Sequence, residues 1–149
     1  MSIDIGISAE NRAKTAQGMT RLLADTYTLY LKTHGYHWNV EGPHFQQLHL
    51  QFMDQYTEMW TAVDELAERI RALGHYAPSS YAAMSELSTI EEETGQPDWK
   101  AMVENLAKAD TWTVPQRGQG AGIIAPLIRN NVMAEAIYNV REFRWRVDN

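Results

Sequence analysis

Four side chains in this sequence have the types and the spacing that could hold a metal ion: His37, His49, Asp64 and Glu68. Imidazole nitrogens and carboxylate oxygens are borderline and hard ligands, which divalent transition metals accept in proteins. On a helix, Asp64 and Glu68 would share one face because they are four residues apart. Carboxylates at this spacing more often form a solvated face, and a single histidine on an amphipathic helix more often packs or lies at the surface. The residue types alone are therefore weak evidence for a metal site.

The spacing indicates how such a site would have to be assembled. His49 and Asp64 are fifteen positions apart, which on one helix leaves them about 60° apart in azimuth but roughly 22 Å apart along the axis. A single helix cannot bring them together, whereas two copies packed antiparallel about a two-fold axis would place His49 of one copy beside Asp64 and Glu68 of the other. Large side chains between the two ends would then pack at the axis: Tyr56, Met59 and Trp60. The alternative is a monomeric bundle that carries these groups as surface charge, and the pattern does not exclude it.

A long amphipathic helix is predicted before the first histidine of the set. Ser8 is an N-cap residue, and the helix is expected to run to about His34. Gly35 interrupts the pattern, so His37 is expected just after the helix. The apolar or packed positions recur at steps of three or four: Ala16, Met19, Leu23, Tyr27, Tyr30 and His34.

The second helix carries the other three candidate ligands. Pro43 suits its first turn, and Gly74 supplies its end. Between them, apolar residues advance by three or four without a miss: Phe45, Leu48, Phe52, Tyr56, Met59, Val63, Leu66, Ile70 and Leu73. This is the most regular pattern in the sequence.

The remainder of the chain predicts two further long helices and a connector. The segment between the second and third helices is too long for a tight turn and is expected to hold a short helix near residues 80–90. Asp98 can cap a third helix that ends or kinks by Val114, and a fourth is expected over about 123–147. The predicted fold is an all-α, ferritin-like four-helix bundle with one long connector and a short extra helix in it. The length of 149 residues favours one domain over residues 1–149.

Composition narrows the classes of function. The formal charge of -6 does not favour nucleic-acid binding, since each phosphate contact calls for a Lys or Arg. No cysteine is present, so any metal would be held by nitrogen and oxygen ligands. No apolar run is long enough for a membrane span, and the start of the chain lacks the pattern of a signal peptide. A cytoplasmic protein is expected.

The candidate ligands also match a known family. Tyr-His-Trp-Asn-Val at residues 36–40, then Gly-Pro, then His49, Asp64 and Glu68 form a specific motif, and the chain resembles the Dps family of mini-ferritins over roughly residues 5–108. The resemblance implies that His37 and His49 come from one subunit and the two carboxylates from its dimer partner. It further implies a homo-oligomer, a hollow dodecamer built from two-fold dimers.

The activity that the resemblance implies is ferroxidase chemistry. Fe(II) would be bound at these inter-subunit sites, oxidised by peroxide or dioxygen, and stored as ferric mineral, which protects against oxidative damage. Trp38 resembles the family's tryptophan beside the site, where it could donate an electron and quench radicals; simple packing is an equally good interpretation of this residue. His34 and His44 match no family ligand and are expected to be structural or exposed.

Two features depart from the family pattern. The family usually has a carboxylate four residues after the second-helix histidine, and here that residue is Met53. A thioether is a poor ligand for Fe(II), so the site would lose one hard oxygen donor. Residues 110–149 are atypical for the family, and the family's pore acids are therefore not assigned here. The competing hypothesis is a DNA-binding or structural nucleoid-protecting shell with a weakened metal site.

Overall fold

The computed structural model describes residues 6–108, and these form helices joined by turns and one extended connector. Helix α1 spans Ala9–Asn39, α2 spans Phe45–Ala72, α3 spans Tyr81–Leu87 and α4 spans Trp99–Lys108. The part of the chain that the structure describes contains no strand. The predictions made for the end of the third helix and for a fourth helix over 123–147 lie outside the described residues.

Helix α1 begins where the sequence predicted, but it ends later in the chain than predicted. The Ser8 hydroxyl accepts a hydrogen bond from the backbone N–H of Asn11 at 3.3 Å and caps the first turn. The prediction that Gly35 ends the helix is wrong, since α1 continues to Asn39. A glycine inside a helix costs only about 1 kcal/mol, and the packing of the turn that follows outweighs that cost. His37 therefore lies within α1 and not after it.

A short turn reverses the chain between α1 and α2. Pro43 lies in this turn, two residues before the first residue of α2, and not in the first turn of the helix as predicted. Gly42 has a φ of +107°, and a Cβ on it would lie 3.1 Å from the indole of Trp99. The turn therefore requires glycine both for its backbone conformation and for its contact with α4. The reversal makes α1 and α2 antiparallel neighbours.

The core lies between α1, α2 and α4, as the apolar periodicity predicted. Its largest fully buried apolar side chains are Leu23, Leu48, Phe52, Met59, Ile70 and Met102. Gly74, with a φ of +88°, follows the end of α2 as predicted. Asp98 accepts a hydrogen bond from the backbone N–H of Ala101 at 2.8 Å, which confirms it as the cap of α4.

The connector is held against α1 by two sets of hydrogen bonds. The buried carboxylate of Asp25 accepts from the Ser88 hydroxyl at 3.0 Å and from the backbone N–H and hydroxyl of Thr89 at 2.6 and 3.0 Å. The Tyr36 hydroxyl donates to Glu93 at 2.8 Å and accepts from the side-chain amide of Asn105 at 3.2 Å. The short helix predicted in the connector is confirmed as α3.

Candidate metal centre

The structure brings His37 and His49 face to face across the α1–α2 interface. Their rings are stacked, with centroids 3.8 Å apart and planes inclined by 20°. Nδ1 of His37 lies 2.7 Å from the carbonyl oxygen of His49, and Nδ1 of His49 lies 2.8 Å from the carbonyl oxygen of His37. Each ring is thus fixed by the backbone of the other residue.

These two hydrogen bonds determine the tautomer of each ring. A carbonyl oxygen only accepts hydrogen bonds, so Nδ1 of each imidazole must carry the proton. In a neutral imidazole the other nitrogen, Nε2, then has its lone pair available for a metal ion. Metal-binding histidines are commonly oriented in this way, with one ring N–H donated to a backbone carbonyl. The pair therefore offers two candidate nitrogen ligands.

Asp64 and Glu68 do not join the histidines within one protomer. Both carboxylates are exposed on α2, four and eight residues after the exposed Trp60 and well along the helix from His49. Within residues 6–108, no group of three or more His, Asp or Glu side chains lies close enough together to hold a metal ion. The protomer therefore keeps the histidine pair and the two carboxylates apart, as the helix spacing predicted.

Aromatic side chains cover the surface beside the histidine pair. The Tyr56 ring meets His37 edge-on at 5.1 Å and stacks on His34 at 3.9 Å. The Tyr30 hydroxyl lies 3.1 Å from Nδ1 of His34, and its ring is 5.3 Å from that of Trp60. His34 was expected to be structural or exposed, and its spacing of four residues from Tyr30 is the sequence signal for this contact. His34 links the two helices beside the site.

Burial changes the protonation behaviour of this aromatic surface. Desolvation raises the pKa of Tyr30, with the neighbouring Tyr56 and Tyr81 adding to the effect. Desolvation also lowers the pKa of His34, and the nearby imidazole of His37 lowers it further. Near neutral pH, Tyr30 and His34 are therefore mainly uncharged.

The three residues expected at a two-fold axis divide between the surface and the core. Trp60 is 58% exposed, and Tyr56 is partly buried beside the histidines. Met59 is 1% exposed and belongs to the protomer's own core, so the expectation that it packs against a second copy is wrong. Successive helix residues point about 100° apart, which is why Met59 and Trp60 face different directions.

Trp38 and Met53 both lie at the surface. Trp38 is 60% exposed, and its ring packs 4.2 Å from that of His34. Met53 is 36% exposed and lies one helical turn after His49. His44, expected to be structural or exposed, is partly buried and meets the Trp99 ring at 4.6 Å.

Among residues 6–108, no helix has the length and apolar character that crossing a membrane requires.

Comparison with known proteins places this arrangement in a family. The family model described as Ferritin-like domain matches residues 16–111. A low temperature-induced protein of Nostoc is 37% identical over 107 residues, which cover 71% of this chain and 60% of that relative. The DNA protection during starvation protein of Brevibacillus brevis is 39% identical over 88 residues, or 59% of each chain. The matches thus span about 60% of the length of these relatives.

Solved structures agree with the sequence matches. A Dps protein from Vibrio cholerae, described as a member of a broad superfamily of ferritin-like diiron-carboxylate proteins, superposes with a TM-score of 0.77 at 26% identity, covering 99% of this chain and 96% of that one. A Dps protein from Bacillus brevis gives the same TM-score and identity, with coverage of 92% and 99%. The helices, the paired histidines and these similarities lead to one conclusion. The chain belongs to the ferritin-like family, and within it to the Dps proteins.

Proposed function

We propose that this protein oxidises and stores iron, with Fe(II) bound between His37 and His49 of one subunit and Asp64 and Glu68 of a second subunit. The observation that carries the proposal is the histidine pair, because two imidazoles are held with Nδ1 against backbone carbonyls and Nε2 available. Two nitrogen ligands alone are a poor site for Fe(II), which also favours carboxylate oxygens. A second subunit would supply those oxygens.

The exposed surface beside the pair supports a two-fold contact through α1 and α2. Trp60, Phe45 and Trp38 are 58%, 47% and 60% exposed in the isolated protomer. Large apolar side chains clustered on one surface are typical of a protein interface. An antiparallel contact of two α2 helices would cover this surface and would bring the carboxylates of each subunit to the histidines of the other. A closed dodecamer built from such dimers, located in the cytoplasm, stays a prediction.

The proposed chemistry is electron transfer from bound Fe(II) to peroxide or dioxygen. The histidines orient the metal ion, and the carboxylates balance the additional positive charge as Fe(II) becomes Fe(III). The ferric product would then be deposited as mineral inside the assembly. We propose that Trp38 donates an electron when a radical forms near the site. Its contact with His34, which in turn lies 6.0 Å from His37, is the support for this role.

The shared site is tested by mixing two inactive variants. His49→Ala and Asp64→Ala subunits each lack half of every site in a pure assembly. In a mixed dimer, one site carries both lesions and the other is fully wild-type, so Fe(II) oxidation with peroxide should recover on co-refolding. Recovery no greater than the average of the two parents, with mixed dimers confirmed by mass, would refute the shared site. A site within one subunit would leave every subunit defective.

The DNA-binding hypothesis has weaker support. The formal charge of -6 disfavours contact with phosphates, and the first twenty residues contain only two basic side chains, Arg12 and Lys14. Lys14 is paired with Glu10 at 2.8 Å. A gel-shift measurement at low salt, made beside the iron-oxidation assay, separates the two hypotheses, and we expect oxidation without a shift.

A further inference from the structure

A line of tyrosine rings leads from the histidine pair to an exposed ring on α3. Tyr56 of α2 lies with its ring centroid 5.1 Å from that of His37 and 6.3 Å from that of Tyr30 on α1. Tyr30 is 5.8 Å from Tyr27, and Tyr27 is 6.2 Å from Tyr81 of α3, which is 73% exposed. Each separation lies within the range of about 4.5–7 Å at which aromatic rings pack in contact. The rings are therefore continuous from α2 through α1 to solvent.

The two inner rings, Tyr27 and Tyr30, carry hydroxyl groups that packing alone does not require. Both pack against the core and are partly buried, where phenylalanine would fill similar space without a polar group to desolvate. The Tyr30 hydroxyl lies 3.1 Å from Nδ1 of His34 and can donate its proton there. Burial, and then a hydrogen bond to the Tyr81 side chain, raise the pKa of Tyr27. Each inner phenol thus has a hydrogen-bond partner for its proton.

These partners matter because a phenol that loses an electron also loses its hydroxyl proton. At Tyr30 the proton can move to Nδ1 of His34 and return when the ring is reduced again. At Tyr27 it is shared with the Tyr81 hydroxyl. Tyr81 faces solvent, so its own proton can leave to water. A one-electron vacancy formed beside the histidine pair could therefore pass through the two inner rings and stop at Tyr81.

We propose that Tyr56, Tyr30, Tyr27 and Tyr81 form an electron-transfer path that carries single electrons from the protein surface at α3 to the metal centre. Reduction of hydrogen peroxide to water takes two electrons, and one Fe(II) supplies one of them. The path supplies the second: Fe(II), peroxide, the Tyr81 phenol and one proton give Fe(III), two waters and the Tyr81 phenoxyl radical. A small enediol reductant such as ascorbate then donates a hydrogen atom to Tyr81 and restores the phenol.

The path rests on the proposed iron function for its oxidant, and the first test uses that reaction. Protein is mixed with Fe(II) and hydrogen peroxide, frozen during the reaction and measured by electron paramagnetic resonance. We expect a tyrosyl signal that is lost in Tyr81→Phe and also in Tyr27→Phe, which keeps the ring packing and leaves Tyr81 in place. Tyr76→Phe is the matched control and should keep the signal, since Tyr76 is 87% exposed and its ring packs on Arg71. An undiminished Tyr81 radical in Tyr27→Phe would overturn the path.

A second test needs no iron and separates the path from the iron proposal. The sequence has no cysteine, so Trp60→Cys creates a single attachment point beside Tyr30, whose ring lies 5.3 Å from that of Trp60. A ruthenium photo-oxidant attached there should produce the Tyr81 radical on illumination, and adding Tyr27→Phe should abolish it. A light-driven Tyr81 radical in a protein that does not oxidise Fe(II) would support the path and refute only the iron proposal. Fe(II) oxidation without a Tyr81 radical in either test would refute only the path.

Discussion

Two polar regions border α1, one at the connector and one at α2, and they differ in where their hydrogen-bonding groups are directed. On the connector side, the Asp25 carboxylate accepts three hydrogen bonds from Ser88 and Thr89. On the α2 side, His37 and His49 use one ring nitrogen each for the backbone, which leaves the other nitrogen for the proposed metal site. The first region is satisfied within the protomer and stabilises it. The second is fixed in orientation but incomplete within one protomer, and we propose that it binds metal.

The comparison predicts that mutations in the two regions affect different properties. Replacing a residue of the satisfied region should change the free energy of unfolding. Replacing a residue of the incomplete region should change metal binding and oxidation.

The largest effect is expected for His49→Ala. Loss of one nitrogen ligand should reduce the rate of Fe(II) oxidation by at least about 100-fold, since even indirect partners of metal ligands contribute 10–100-fold. The free energy of unfolding should fall by about 1–2 kcal/mol, because the variant loses ring contacts with His37 and Phe45 and one hydrogen bond to the carbonyl oxygen of His37. Stopped-flow oxidation and urea unfolding would measure the two quantities. A loss of stability large enough to unfold the variant would remove the distinction between the regions.

Asp25→Ala should show the opposite pattern, with its main effect on the free energy of unfolding. It removes the buried acceptor of three hydrogen bonds from Ser88 and Thr89 and should lower the free energy of unfolding by about 2 kcal/mol. Asp54→Ala, at an exposed carboxylate of α2, is the control and should change that free energy by no more than about 0.5 kcal/mol. Urea unfolding followed by circular dichroism is the measurement. Equal stability of the two variants would show that the Asp25 hydrogen bonds do not hold the connector.

Met53→Asp should improve Fe(II) binding at the incomplete region. It restores a hard oxygen ligand one turn after His49, and we expect Fe(II) to bind about tenfold more tightly. Gln47→Asp adds the same charge on another part of the α2 surface and should not reproduce the gain. Air-free calorimetry with Fe(II) measures the affinity of each variant. If Met53→Asp abolished oxidation, Met53 would have a role that the ligand argument does not include.

The smallest effect is expected for Glu93→Gln, which tests how the hydrogen bonds of the connector make stability depend on pH. Hydrogen bonds from the Gly95 backbone N–H and then from the Tyr36 hydroxyl hold the pKa of Glu93 below its ordinary value of 4.5. Its stabilising contribution is therefore present above pH 4.5 and is lost as the pH falls through the lower pKa of the folded state. Between pH 6 and pH 3 the stability of Glu93→Gln should fall slightly less than that of the wild type. If the urea midpoints of the wild type and Glu93→Gln fell equally between pH 6 and pH 3, the lowered pKa assigned to Glu93 would be contradicted.

Local sequence patterns determined most of the helices and their ends. The Ser8 and Asp98 caps and the end of α2 before Gly74 were predictable because caps and positive-φ glycines act through neighbouring backbone atoms. Gly35 was misinterpreted for the same reason. Its local preference against helix is small, and the packing of the turn after Asn39 decided where α1 ends.

The candidate ligands were predictable by type and spacing, but their arrangement was not. The sequence placed His49 and Asp64 on one helix with an axial separation that no single helix can close. Only the packing of α1 on α2 decided that His37 and His49 stack with opposed backbone hydrogen bonds, that His34 lies between Tyr56 and Trp38, and that Met59 faces inward. Periodicity defines a helix face to within a broad stripe, whereas ring contacts depend on the rotation of one helix against its neighbour, which only tertiary packing sets.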